Sequence, residues 1–84
     1  MKILILGAGK MGSFFIDLLS FDHEVGVYEK DPKRMRFTYN CQRFTALDEI
    51  REFSPELCIN AATVKYTIPA FNEVMDYLPK NCIL

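Results

Sequence analysis

An apolar run, Lys2-Ile3-Leu4-Ile5-Leu6, leads straight into Gly7-Ala8-Gly9-Lys10-Met11-Gly12, and the last glycine opens an amphipathic stretch. Few short patterns constrain a fold as strongly. The strand must end in a turn tight enough for Gly7, Gly9 must present bare backbone, and Gly12 must let a helix pack closely on the strand before it. A helix N-terminus placed there directs unpaired N–H groups and partial positive charge at an anion, the arrangement that binds a dinucleotide pyrophosphate. Glu29 follows Gly12 at close to the spacing of about 20 residues at which such folds set a carboxylate against the ribose. The plainer reading, a glycine-rich turn that merely joins strand to helix, is outweighed by this context.

Glu29 lies at the end of a second strand, Glu24 to Tyr28, beside the expected adenosine ribose. A carboxylate there accepts hydrogen bonds from the 2′- and 3′-hydroxyls and repels a 2′-phosphate, which favours NAD over NADP. The opposing signal is the basic run of Lys30, Lys33, Arg34, Arg36 and Arg43, against Asp31. Such a cluster either clamps a 2′-phosphate or forms a solvated helix face, the commoner outcome.

Composition narrows the class. With 84 residues, half of them apolar and a quarter charged, the chain fits one small globular domain. Its net charge of −1 argues against a general nucleic-acid or membrane-surface binder. No apolar run approaches the ~18 residues of a membrane span, and Met1-Lys2-Ile3 passes directly into a strand rather than a signal peptide, so a cytoplasmic location is expected. Cys41, Cys58 and Cys82 are odd in number and form no Cys-x-x-Cys pair, which points to reduced, mostly buried thiols and to no metal site. His23, the single histidine, precedes the second strand and so belongs to the end of the sheet away from ligand.

Strands and helices alternate along the chain. After the glycine turn, Met11, Phe14, Phe15, Leu18 and Leu19 form one stripe expected to face the sheet, with Ser13 and Asp17 opposite. Asp31-Pro32 suits a helix start, and Lys33 to Asn40 a turn or two of helix. A short strand is expected around Arg43 and Phe44. Thr45 to Asp48 resembles a capping box for a helix that shows Leu47, Ile50 and Phe53 to the core and ends at Ser54-Pro55. Leu57 to Ala61 read as a strand whose exit, Ala61, Ala62 and Thr63, borders the cofactor crevice. A further helix carries Ile68, Phe71, Val74, Met75 and Leu78 on one stripe, with Met75 and the aromatics assigned to core, and stops at Pro79. Cys82-Ile83-Leu84 begins another buried strand. The expected architecture is α/β: a Rossmann-type doubly wound parallel sheet in three layers, of which residues 1–84 form the amino-terminal part, incomplete at its C-terminal end.

Three stretches, Ile5 to Phe15, Val27 to Pro32 and Ile59 to Thr67, resemble the NAD-binding domain of prephenate dehydrogenases. The first is shared with other nicotinamide enzymes, so the resemblance rests mainly on the second and third. It implies an enzyme that oxidatively decarboxylates prephenate to 4-hydroxyphenylpyruvate in tyrosine biosynthesis. It also implies a homodimer whose catalytic histidine and substrate-gripping arginine lie beyond residue 84, in a mostly helical second domain. No catalytic residue is therefore assigned within the chain. The candidate cofactor-binding set is Gly7, Ala8, Gly9, Lys10, Met11 and Gly12 at the pyrophosphate, Glu29 and Lys30 at the adenosine ribose, and Ala61, Ala62 and Thr63 on the nicotinamide side. Glu29 departs from the Asp of many relatives, and Val64 from their Pro. Another nicotinamide-dependent hydroxy-acid dehydrogenase or ketoacid reductase remains an alternative, as does a regulatory module that senses NAD without catalysis.

Overall fold

The computed structural model describes residues 1–30, 41–62 and 67–83. Its centre is β1 (Lys2–Leu6), in which side chains of a nearly continuous apolar run alternate between two covered faces. Ile3 and Ile5 pack with Ala8, Ile16, Val25 and Val27 on one side. Leu4 and Leu6 pack with Phe44, Ile50, Phe53, Cys58 and Val74 on the other.

The chain passes from β1 through α1 (Lys10–Leu19) to β2 (Glu24–Tyr28), then reaches β3 (Gln42–Phe44). It crosses back through α2 (Leu47–Phe53) to β4 (Leu57–Asn60) and continues into α3 (Thr67–Val74), extended by a 3₁₀ turn at Met75–Tyr77. All strands are parallel, in the order β3-β2-β1-β4. Helix α1 covers one face while α2 and α3 cover the other, which makes the expected three-layer, doubly wound α/β arrangement. Ile83 bridges to Leu57 in parallel on the outer side of β4, where the next strand of such a sheet belongs.

Several sequence expectations need correction. In α1 the inward residues are Gly12 and Ile16, flanked by Phe15 and Leu19, whereas Met11, Phe14 and Leu18 are more than half exposed. The cause is steric: a Cβ on Gly12 would stand 2.0 Å from the Gly7 carbonyl oxygen, so this residue must face the strand and it sets the rotation of the helix. At α2 the N-cap position is Ala46, not Thr45, and the acid that closes the turn is Glu49 rather than Asp48. Glu49 Oε1 accepts the backbone N–H groups of Thr45 (3.2 Å) and Ala46 (3.1 Å).

In the last helical segment Val74 is buried, with Ala70, Phe71, Tyr77 and Leu78 packed around it, while Ile68 and Met75 are exposed and do not belong to the core. The change to 3₁₀ winding at Met75 turns the stripe away from the regular helical spacing. Ile83 is exposed rather than buried, and of the thiols only Cys58 is fully buried. The expected helix between Asp31 and Asn40, and the residues Thr63, Val64 and Leu84, lie outside the described residues. Among the described residues no helix is long and apolar enough to cross a membrane.

Candidate dinucleotide site

Parallel pairing brings the C-terminal ends of β1, β2 and β4 to one edge. There the hydrogen-bond ladder runs one residue past each strand: Gly7 N–H donates to the Tyr28 carbonyl (2.9 Å), and Ala61 N–H to the Leu6 carbonyl (2.9 Å). Glu29 N–H likewise donates to the Phe44 carbonyl at 3.3 Å. These bonds gather Gly7, Glu29 and Ala61 at the point where the chain leaves β1 toward β2 on one side and returns to β4 on the other, the usual position of a ligand crevice.

The glycine turn is built as its spacing requires. Gly7 has φ +96°, a conformation that side chains disfavour, and a Cβ there would also meet the Ala62 nitrogen at 3.3 Å and the Ala61 carbonyl at 3.4 Å. Strand β4's exit therefore packs against the turn, in agreement with small residues at both 61 and 62. Asn60 shapes that exit, its Oδ1 accepting the Ala62 N–H at 3.0 Å. Ser13, assigned to the outer side of α1, in fact donates its hydroxyl to the Ala8 carbonyl (3.3 Å) and so ties the helix to the turn.

Glu29 reaches across to the same turn, where its Oε1 accepts the Ala8 N–H at 2.9 Å. The carboxylate thus joins the end of β2 to the loop after β1. Helix α1 begins without a side-chain cap on its N-terminus and has no acidic residue in its first turn. Apart from the Glu29 carboxylate on the Ala8 N–H, its N–H donors and dipole are met by no acid of the helix's own first turn, and Lys10 and Met11 stand exposed at the same end. Such donors, beside a backbone stripped of side chains, suit a pyrophosphate.

Lys30 is turned to a different partner. Its ammonium pairs with the carboxylate of Glu73 on α3, and the Tyr28 hydroxyl donates to the other oxygen of that carboxylate at 2.7 Å. Burial favours the neutral form of Glu73, yet hydrogen bonds from Lys30 and Tyr28, with the lysine charge, outweigh it and hold the carboxyl below its ordinary range. Tyr28 moves the opposite way: burial and the Glu73 carboxylate keep its phenol protonated well above the usual value. Neither Tyr28 nor Glu73 carries a sequence signal, because they meet only when α3 folds over the end of β2. His23 precedes β2, at the end of the sheet away from the glycine turn.

No family model matches the chain, and no curated protein matches it in sequence. Solved structures do resemble it. Prephenate dehydrogenase from A. aeolicus, in complex with hydroxyphenyl propionate and NAD+, superposes with a TM-score of 0.80 over 98% of this chain and 31% of its own, at 20% identity. Synechocystis arogenate dehydrogenase gives a TM-score of 0.78 over 99% of this chain and 31% of its own, at 18% identity. A diketoreductase acting on dicarbonyl compounds gives 0.79 over 96% and 39%, at 12% identity. The chain thus shares the fold of dehydrogenase N-terminal domains and spans about a third of the length of the first two proteins.

Proposed function

We propose that the chain is the NAD-binding part of an oxidoreductase similar to prephenate dehydrogenase. The observation that carries this reading is the closed glycine turn, with Gly12 pressed on Gly7, Ala61 and Ala62 packed behind it, and Glu29 bonded to the Ala8 N–H. The solved prephenate dehydrogenase of the same fold contains NAD+, which supports that choice of cofactor. In this reading the backbone of Gly7 to Gly12 and the first turn of α1 hold the pyrophosphate, with Lys10 adding a positive charge at its edge. Glu29 receives the adenosine ribose hydroxyls, and Ala61, Ala62 and Thr63 border the nicotinamide half. NAD, when bound, supplies a hydride acceptor.

The residues of this chain then bind and orient, and the groups that grip and polarise substrate are assigned to the part of such enzymes that it does not span. Prephenate is the proposed substrate and the homodimer the proposed assembly. A reductase of dicarbonyl compounds is the second reading, supported by the equally close fold of the diketoreductase. Steady-state assay of the whole protein, with prephenate and NAD+ and separately with a dicarbonyl compound and NADH, distinguishes the two. Prephenate-dependent NADH formation is the expected result, and turnover of a dicarbonyl compound with none of prephenate would replace the first reading by the second. Glu29→Ala should lower NADH affinity by about tenfold, the equivalent of one charge-assisted hydrogen bond, and narrow the gap to NADPH, both read by fluorescence titration.

A further inference from the structure

Lys30 directly follows Glu29 at the end of β2, so it stands next to the place assigned to the adenosine ribose. A lysine there is the natural counter-charge for a 2′-phosphate, and by itself it would oppose the preference that Glu29 imposes. The structure shows what becomes of that charge. Glu73 approaches from α3, three-quarters shielded from solvent, and pairs with the ammonium. Tyr28, one residue before Glu29, fixes the same carboxylate with its hydroxyl at 2.7 Å. Three residues, from the end of β2, the bend after it and α3, thus form one unit, and the tyrosine and the lysine hold the carboxylate from two sides.

The consequence concerns cofactor choice, and it rests on the dinucleotide-site reading above. A 2′-phosphate arriving beside Glu29 would meet a lysine whose charge is already compensated, with a second carboxylate behind it. Binding would require either breaking the Lys30–Glu73 pair or crowding the phosphate against two acids. We propose that Glu73, anchored by Tyr28, is a positioning residue that withholds Lys30 from a 2′-phosphate and so reinforces discrimination against NADP(H). Glu29 rejects the phosphate directly, and Glu73 acts only through Lys30.

The test is fluorescence titration of the whole protein with NADH and NADPH at low salt, in wild type, Glu73→Gln, Glu73→Asp, Tyr28→Phe and the double variant Glu73→Gln/Lys30→Met. Glu73→Gln should tighten NADPH binding by about three- to fivefold, the scale of one exposed ion pair, and leave NADH binding unchanged. Glu73→Asp keeps the charge and should stay near wild type. Tyr28→Phe removes a single hydroxyl from an otherwise intact ring and should give a smaller gain of the same sign, which provides a reading even if Glu73→Gln folds poorly. In the double variant the gain should vanish. Equal shifts for both cofactors, a gain that survives loss of Lys30, or no gain in any single variant that binds NADH would overturn the proposal alone. Absence of NADH binding by wild type would overturn the site reading and this proposal with it.

Discussion

Gly12 is where the fold and the proposed binding of a dinucleotide make the same demand. A methyl group there would stand 2.0 Å from the Gly7 oxygen and 2.9 Å from the Gly7 carbonyl carbon, and both are backbone atoms that cannot swing aside. Gly12→Ala should therefore lower stability by at least about 1–3 kcal/mol and spread the turn, measurable by chemical denaturation and by loss of NADH binding. Gly26 is constrained for packing alone, since its Cβ would lie 2.4 Å from the Phe44 ring. Glu73 gives a pH signature. The fold holds its carboxyl below the ordinary value, so its contribution is complete above about pH 4.3 and fades as acid protonates it. Stability curves of wild type and Glu73→Gln should converge as the pH falls below that value, and a constant difference would refute the ion pair's role. Burial, with Cys82 nearby, pushes the Cys58 thiol up to about 12, so in the native protein it should resist alkylation at pH 8 until denaturant is added. The glycines and Glu29 were legible because their spacing is local. Tyr28 and Glu73 were not, since 45 residues separate them and nothing in either neighbourhood announces the other.

Helix α1 shows how an element can be placed correctly and rotated wrongly. Of the expected stripe Met11, Phe14, Phe15, Leu18 and Leu19, only Phe15 and Leu19 pack on the core; close contact between Gly12 and Gly7 takes precedence, turns Gly12 and Ile16 inward beside them and leaves Met11, Phe14 and Leu18 exposed. The motif itself held the information, because the glycine that must touch the strand fixes which face follows it. Ile16→Ala should cost about 2–4 kcal/mol and Leu18→Ala less than about 0.5 kcal/mol in denaturant unfolding, and the reverse order would restore the original stripe. The start of α2 was misread by one position for a similar reason. Thr45 offers the commoner capping side chain, but Glu49 reaches back to two backbone donors and shifts the first turn to Leu47. Strands were easier to read, since alternation about β1 and the paired carboxyl ends follow from apolar runs bounded by turn residues.

At the scale of the molecule, the order β3-β2-β1-β4 turns three separate sequence segments into one edge. The glycine turn, Glu29 and the Ala61-Ala62 exit come from the ends of neighbouring parallel strands, and the strand order reverses about β1 between them. The alternating pattern of strands and helices made the fold class legible, whereas the identity of the substrate has no signal in residues whose proposed task is to hold a cofactor. Amide chemical-shift mapping during NADH titration tests the central claim most directly, because it locates the ligand without altering any residue. Saturable shifts concentrated at Gly7 to Gly12, Glu29, Lys30, Ala61 and Ala62 are the predicted result. An unchanged spectrum, or shifts confined to the opposite edge around Glu24 and His23, would contradict it.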